Sequence, residues 1–316
     1  MEKNYIRFPY NIYEPEEIII DDIRYILYLA RFNNLYELYE YLNSKPMLNR
    51  RVFHELYSIT EKEDFAGKPY NEALEDLIKD IDPGYEEFLK LQKDINCANN
   101  MYINRYKTVM TVAGGHMNTQ AYSTGQPLCY ETQERVMKSK FLRMHIMLGY
   151  RWDTTKSQVL NRAIIITNIL KALEDSGYNI DINAFKLTQK SNEISHTIIK
   201  LKKYGEKIDM QALYKTLCNV EFLRRILFRV LETLDVKRNW EEGYGSTCSK
   251  EFASKVLKLN NDDIYFDQPN YMDIYGYDLA SDFEGAIKHL NLQDKIDVEK
   301  AKYEFEKSAK ILSLKK

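Results

Sequence analysis

The chain has 316 residues and a mass of 37.5 kDa, with 44% hydrophobic and 29% charged residues. These are the proportions of an ordinary soluble globular protein with enough chain for one large domain or two smaller ones. Lys and Arg (45) nearly balance Asp and Glu (47), leaving a net charge of -2, so there is no global electrostatic case for nucleic acid or an anionic membrane.

The 25 Tyr stand beside only 2 Trp. With Lys, Asn and Ile also abundant, the usage is that of an AT-rich genome rather than of an aromatic binding surface. Cys97, Cys129, Cys218 and Cys248 are widely spaced and form no C-x-x-C pair. Neither a disulfide framework nor a zinc ribbon is expected, and a reducing compartment fits best. The N-terminus lacks the basic start and apolar run of a secretory signal, and no window approaches the length of a membrane span. The expected location is the cytoplasm, with no membrane partner.

In chain order, Pro15 to Leu42 carries acidic residues first and then Ile19, Ile23, Ile26, Leu27 and Ala30 at helical spacing. The spacing predicts a helix, with Asn33-Asn34 separating it from a second one through Leu35, Leu38 and Leu42. A Gly67-Lys68-Pro69 turn precedes another amphipathic helix, which Asp82-Pro83-Gly84 ends. Tyr85 to Ile95 reads as helix and Cys97 to Asn100 as linker. The expected organisation is a helical N-terminal region over 1–98, an α/β domain over 99–293 and a C-terminal helix over 294–316.

Met101 to Val112 has strand composition, and the turn-rich segment after Gly114-Gly115 reads as an ordered loop holding His116 and Cys129. A Cys/His nucleophilic pair needs an orienting motif that neither residue has, so packing and loop hydrogen bonding is the preferred reading. Phe141 to Leu148 alternates as a strand with one apolar face, placing His145 outward. A polar turn leads to an apolar helix over 158–175, stopped by Ser176-Gly177, and strands follow at 180–184 and 193–201.

A long helical stretch from Met210 is divided near Asn219-Val220. Its adjacent Arg224 and Arg225 suit a solvated face or a phosphate contact. Gly243-Tyr244-Gly245 is not a phosphate-binding loop, because the Gly-Lys-Ser/Thr ending is missing. A short strand runs from Asp263 to Phe266, a Tyr-rich loop follows, and helices over 279–291 and 297–312 close the chain. Strands alternating with helices predict an α/β layer fold with a mainly parallel sheet.

The polar turn reads Asp153-Thr154-Thr155-Lys156-Ser157, an Asp-x-Thr-x-Ser pattern. With the apolar helix ending in Leu-Glu-x-x-Gly and the later Asp267-Gln268-Pro269, it resembles a degenerate von Willebrand factor A-like domain covering about 140–292. The resemblance implies a Rossmann-like layered sheet and a Mg²⁺ site formed by Asp153, Thr155, Ser157 and Asp267, hard oxygen donors suited to that ion. This sequence departs from the pattern: Arg151-Trp152 intervene before Asp153, and Gln268 replaces the usual Gly. Helix capping by Thr155 or Ser157, with Asp153 adding favourable charge, accounts for the same residues.

The blocks FAGKPYNEALEDLIK, GGHMNTQAYSTGQPLCY, NRAIIITNILKALEDSGYNIDI and IDMQALYKTLCNVEFLRRILFRVLE resemble an uncharacterised protein family of tailed phages and prophages. That resemblance implies phage origin and a host-cell or virion-associated location, with no activity attached. The expected function is a non-enzymatic protein-interaction or assembly module whose partner is another phage or host protein. The alternatives are a Mg²⁺-dependent module or enzyme using the Asp153 turn, and nucleic-acid binding through Arg224, Arg225, Lys202, Lys203 and the tyrosines.

Overall fold

Asp21 and Asp22 both hold positive φ, 50° and 62°. They form the two-residue turn that joins β1 (Glu16–Ile20) to β2 (Ile23–Phe32) as an antiparallel hairpin. The helix expected over the first part of 15–42 is therefore corrected to two strands. Only the part beyond Asn34 is helical, as α1 (Leu35–Asn43), where the Asn34 side chain accepts from the Glu37 N–H at 2.8 Å.

The computed structural model describes residues 12–50, 56–60, 62–79, 85–86, 88, 106–135, 140–150, 153–236, 244, 248–267, 285–288 and 290–303. The linker expected at 97–100, most of the Gly-rich loop at 237–250 and the Tyr-rich loop lie outside these residues. So do parts of the helices expected at 85–95, 279–291 and 297–312.

Three short helices follow: α2 (Tyr57–Thr60), α3 (Glu63–Ala66) and α4 (Tyr70–Asp76). A separate small sheet has the order β3-β5-β4, built from β3 (Tyr106–Thr111), β4 (His116–Met117) and β5 (Tyr130–Arg135), all antiparallel. The short helix α5 (Thr119–Ser123) lies between β4 and β5. The segment expected as a plain ordered loop thus carries a strand and a helical turn.

The main sheet continues with β6 (Lys140–Met147), helix α6 (Lys156–Asp175), β7 (Tyr178–Lys190) and β8 (Glu193–Lys202). Gly177, with φ 83°, makes the left-handed stop after α6. Helix α7 (Met210–Leu217), a π-helical segment (Phe222–Leu227), α8 (Phe228–Thr233) and α9 (Lys250–Leu257) precede the last strand, β9 (Ile264–Phe266). Cys218 and Asn219 separate α7 from the helical stretch that resumes at Val220 and runs into the π segment, so the chain divides near Asn219-Val220 as the sequence predicts.

The six-stranded order is β1-β2-β8-β7-β6-β9. Pairings β2/β8, β7/β6 and β6/β9 are parallel, whereas β1/β2 and β8/β7 are antiparallel hairpins. The α/β expectation holds, but the sheet is mixed rather than mainly parallel. Two tight turns, at Asp21-Asp22 and at Ser191-Asn192, each reverse the chain where a crossover would have kept it parallel.

Both faces are buried. Ala30, Phe32, Met144, Ile146, Ile180, Ile182, Ala184 and Ile199 meet the helices on one side, including Ile169, Leu170 and Leu173 of α6. Tyr25, Leu27, Met147, Phe185, Leu187 and Tyr265 form a second core with Ala253 of α9. Burial on both faces leaves polar side chains inside as well, among them Asp181, Asn183, Lys186 and Thr188 of β7 and Ser195, His196 and Thr197 of β8.

Candidate functional site

The Asp153 turn leaves the C-terminal end of β6 and enters α6, and Asp267 follows β9, the parallel neighbour of β6. The carboxyl ends of adjacent parallel strands are where ligands bind in open α/β sheets. The fold therefore brings Asp153, Thr155 and Asp267 to one edge. Ser157 stands in the first turn of α6, and its side chain lies outside the described residues.

What holds this edge is cationic. Arg162 of α6 donates from Nη2 to the Met147 carbonyl at 2.7 Å and to the Asp267 carbonyl at 2.8 Å, clamping β6 to β9. Burial pulls its guanidinium down to about 10, against the opposing pull of the Asp267 carboxylate. Arg224 donates from Nη2 to the Thr154 carbonyl at 3.1 Å and also bonds the Phe65 carbonyl. Its guanidinium lies 3.9 Å from the Phe65 ring centroid and 5.1 Å from that of Tyr150. Tyr150 in turn donates to the Val220 carbonyl at 3.0 Å, and burial pushes its hydroxyl well above the ordinary phenol range.

Thr155 is engaged as the cap of α6. Its hydroxyl accepts from the Gln158 N–H at 3.3 Å, while Gln158 Oε1 accepts from the Thr155 N–H at 2.6 Å, a complete capping box. Among the described residues no three His, Cys, Asp or Glu side chains group closely enough to hold a metal ion. A divalent ion beside Asp267 would add charge next to a guanidinium already disfavoured by burial. Arg162 and Thr155 thus both have structural roles at this edge, the one bonding the main-chain oxygen of Asp267 and the other capping α6. The adjoining cavity, lined by Leu148, Tyr150, Val159, Arg162, Thr216 and Asn219, has about 10 Å³, room for about one water.

Arg224 and Arg225, read from the sequence as a solvated or phosphate-binding pair, are both buried. Arg225 donates to the carbonyls of Lys68 at 3.0 Å and Ser58 at 3.3 Å. Lys202 is buried as well, donating to the Ile180 carbonyl at 2.9 Å. Of the cations proposed for nucleic acid, Lys203 alone is exposed. The π-helical turn explains the arginines: all six of its residues point into packed surroundings.

A second polar centre was not legible in the sequence. Glu232, fully buried, accepts from the Ser58 N–H at 3.0 Å and from the Ser58 hydroxyl, and it pairs with Arg229 at 3.4 Å. The Tyr244 hydroxyl lies 3.4 Å away. Burial raises the Glu232 carboxyl despite these partners. Lys186 of β7 projects toward α8, its Nζ 4.7 Å from the Phe228 ring centroid and without a hydrogen-bond partner. Burial brings it down to about 7.

His145, expected to face outward, is 7% exposed and lies 3.9 Å from Asp263 on the second core face. Burial lowers its pKa. In the small sheet, His116 is exposed whereas Cys129 is buried.

Among the described residues the small sheet has an unusual surface. From Thr108 to Tyr130 there are 23 residues without one Asp, Glu, Lys or Arg, where the chain's 29% charged content would place about seven. Between Val112 and Leu128 all residues except Asn118 and Ala121 are exposed. Val112 is 69% exposed, Tyr122 62%, Leu128 46% and Met117 38%. The segment is held by its own bonds: Asn118 Oδ1 accepts from the Ala121 N–H at 3.0 Å, its Nδ2 donates to Glu131 at 2.8 Å, and its N–H donates to the Cys129 carbonyl at 2.7 Å.

No helix of the described residues is long and apolar enough to cross a membrane. No curated protein and no solved structure matches the chain. Residues 16–294 match a family model described as "Domain of unknown function (DUF7192)", and the chain belongs to that family.

Proposed function

We propose that this protein is a non-enzymatic interaction module that contacts another protein through the uncharged arm at 108–130. The observation that carries the reading is the conjunction of exposure and missing charge. Interface centres are depleted in charge and enriched in aromatic residues and Met, because a neutral apolar surface is cheap to desolvate. Tyr122, Met117, Val112 and Leu128 supply that surface. The local hydrogen bonds that fix the arm lower the ordering cost of binding.

A von Willebrand A-like reading of the main sheet is supported by the sequence of strand β6, the Asp153 turn, apolar helix and parallel strand β7, with Asp267 ending the strand on the other side of β6. The resemblance to a tailed-phage family supports a phage-encoded protein acting in the host cytoplasm or on the virion. The Mg²⁺-dependent alternative through Asp153, Thr155, Ser157 and Asp267 has less support, since Thr155 serves as a helix cap and Arg162 supplies positive charge at the site. The nucleic-acid alternative loses Arg224, Arg225 and Lys202 to internal bonds.

Affinity capture from phage-infected cells with the wild-type chain and Tyr122→Glu tests this. A stoichiometric protein held by the wild type and lost by the variant is expected. Identical captured proteins from both would remove the arm from the proposal.

A further inference from the structure

We infer that α9 is an acid-released cover: protonation of His145 and His196 lifts this helix from the main sheet while the sheet itself stays folded. The device is separate from the arm at 108–130.

The two imidazoles lie on one face of the sheet, on the strands either side of β7. Each ring stands edge-on to Phe185, with centroids 6.4 Å away for His145 and 5.9 Å for His196. His196 falls between Ile194 and Ile198 along β8 and opposite Leu187 of β7. Those three belong to the second core, which α9 closes through Ala253, with Phe252, Val256 and Leu257 packed against it. His145 is in register with Tyr265 of the same core. Both histidines are more than nine-tenths buried, and the Nε2 of each makes no hydrogen bond. An imidazolium donates from both nitrogens, so a proton taken up here creates a buried charge with an unmet donor.

Burial is the chief force against a proton on either ring, and at His196 the charge of Arg31 on β2 and His145 on β6 add to it. Around His145, Asp263 at 3.9 Å and Asp181 of β7 attract the proton, while Arg143 of β6 and Lys200 of β8 repel it. The side of α9 brings Cys248 to the core and Lys250, whose ammonium is 6.0 Å from the Tyr265 ring centroid. The carboxylates thus serve His145, and relief for a charged His196 has to come from water.

Water can enter most cheaply under α9. β7 and β8 are each paired on both sides, so moving either strand breaks two ladders. The eight residues of α9 have no main-chain hydrogen bond to a strand among the described residues. One polar tie is the Lys255–Asp21 ion pair, exposed at both ends and of the kind that adds little in water. Elements held in this way open at the lowest cost. With α9 lifted the rings are wet and take the ordinary histidine value near 6.5. Below pH 6.5 opening therefore becomes about tenfold easier per pH unit through His196, until its folded value of about 3 is reached.

Hydrogen–deuterium exchange of the full chain, read by mass spectrometry at pH 6.5 and about pH 4.5 and corrected for intrinsic exchange, tests the cover. Protection of the α9 amides is expected to fall about a hundredfold between the two, while β7 and β8 keep theirs. His196→Phe is expected to leave α9 about tenfold or more better protected than the wild type at the lower pH. His196→Leu gives the same reading should the larger ring fail to pack. Loss of protection in α9, β7 and β8 together, α9 protection indifferent to pH, or variants that lose it as the wild type does would each overturn the inference.

Discussion

Arg162 donates to the main-chain oxygen of Asp267 at 2.8 Å and with the same nitrogen to Met147 at 2.7 Å. One guanidinium thus ties the ends of two parallel strands at the edge where the Asp-x-Thr-x-Ser turn suggested a metal. Removing it leaves both carbonyls short of a charged donor. Arg162→Met is expected to lower stability by about 2 kcal/mol, read by denaturant unfolding. Because the arginine already supplies positive charge there, Mg²⁺ or chelator should leave the wild-type Tm unchanged. A saturable rise in Tm with Mg²⁺, lost in Asp267→Ala, would return the site to metal binding.

Glu232 and Lys186 are buried on facing elements but differ in their partners. Glu232 is satisfied by Ser58 and Arg229, so Glu232→Ala strips a buried network and should cost about 3–5 kcal/mol. Lys186 has only the Phe228 ring and a distant attraction to Glu232. Its folded pKa of about 7 lies below the ordinary lysine value of 10.5, so the unfolded chain binds the extra proton between the two. Stability should therefore rise as pH increases from about 7 toward 10.5. Lys186→Met should flatten that rise and stabilise the protein at neutral pH. An unchanged pH profile would show that Lys186 keeps its charge in the folded state.

The parts legible in the sequence were those where local pattern and tertiary role agree. Thr155, Gln158 and the apolar run to Leu173 announced α6 with its cap, and Ser176-Gly177 announced its end. The hairpin at the start did not read correctly, because Ile19, Ile23, Ile26, Leu27 and Ala30 fall at helical spacing by coincidence. β2 is packed on both faces, with Leu27 in one core and Ala30 in the other, so the alternation that marks a strand is missing. The run Ile18-Ile19-Ile20 was the β-branched signal that could have decided it. Arg224 and Arg225 differ from their sequence expectation for another reason. Their destination is a set of carbonyls at Ser58, Phe65, Lys68 and Thr154, 70 or more residues away in sequence, and no local pattern encodes such partners.

Gly67 holds φ 75°, and a Cβ there would meet Glu221 Oε2 at 2.5 Å and Val220 Cγ2 at 3.1 Å. The carboxylate is the far end of a flexible side chain, but Glu221 Cβ at 3.2 Å and Val220 Cγ2 lie close to their backbone, so contact adds to the cost of the left-handed conformation. Gly67→Ala should destabilise by about 1–2 kcal/mol. Gly177→Ala, with a similar φ of 83° and open space around it, isolates the backbone contribution for comparison. Equal losses at the two positions would show that contact with Glu221 adds nothing.

His196 sits on β8 with its ring edge-on to Phe185, the centroids 5.9 Å apart, and its Nε2 makes no hydrogen bond. Burial first, then the nearby charge of Arg31, pulls its pKa to about 3, against an ordinary 6.5. Between those values the unfolded chain carries the imidazole proton and the folded chain does not. The contribution is fully present above pH 6.5 and is lost as pH falls toward 3, since protonation then favours unfolding. His145, lowered in the same direction, adds to the trend. The wild type should lose stability steeply across this acid window, by a few kcal/mol from His196 alone. His196→Phe, which keeps a ring against Phe185 without a titrating nitrogen, should lessen the loss. Denaturant midpoints measured at several pH values decide this, and parallel profiles for the two proteins would show that His196 takes up its proton without unfolding the sheet.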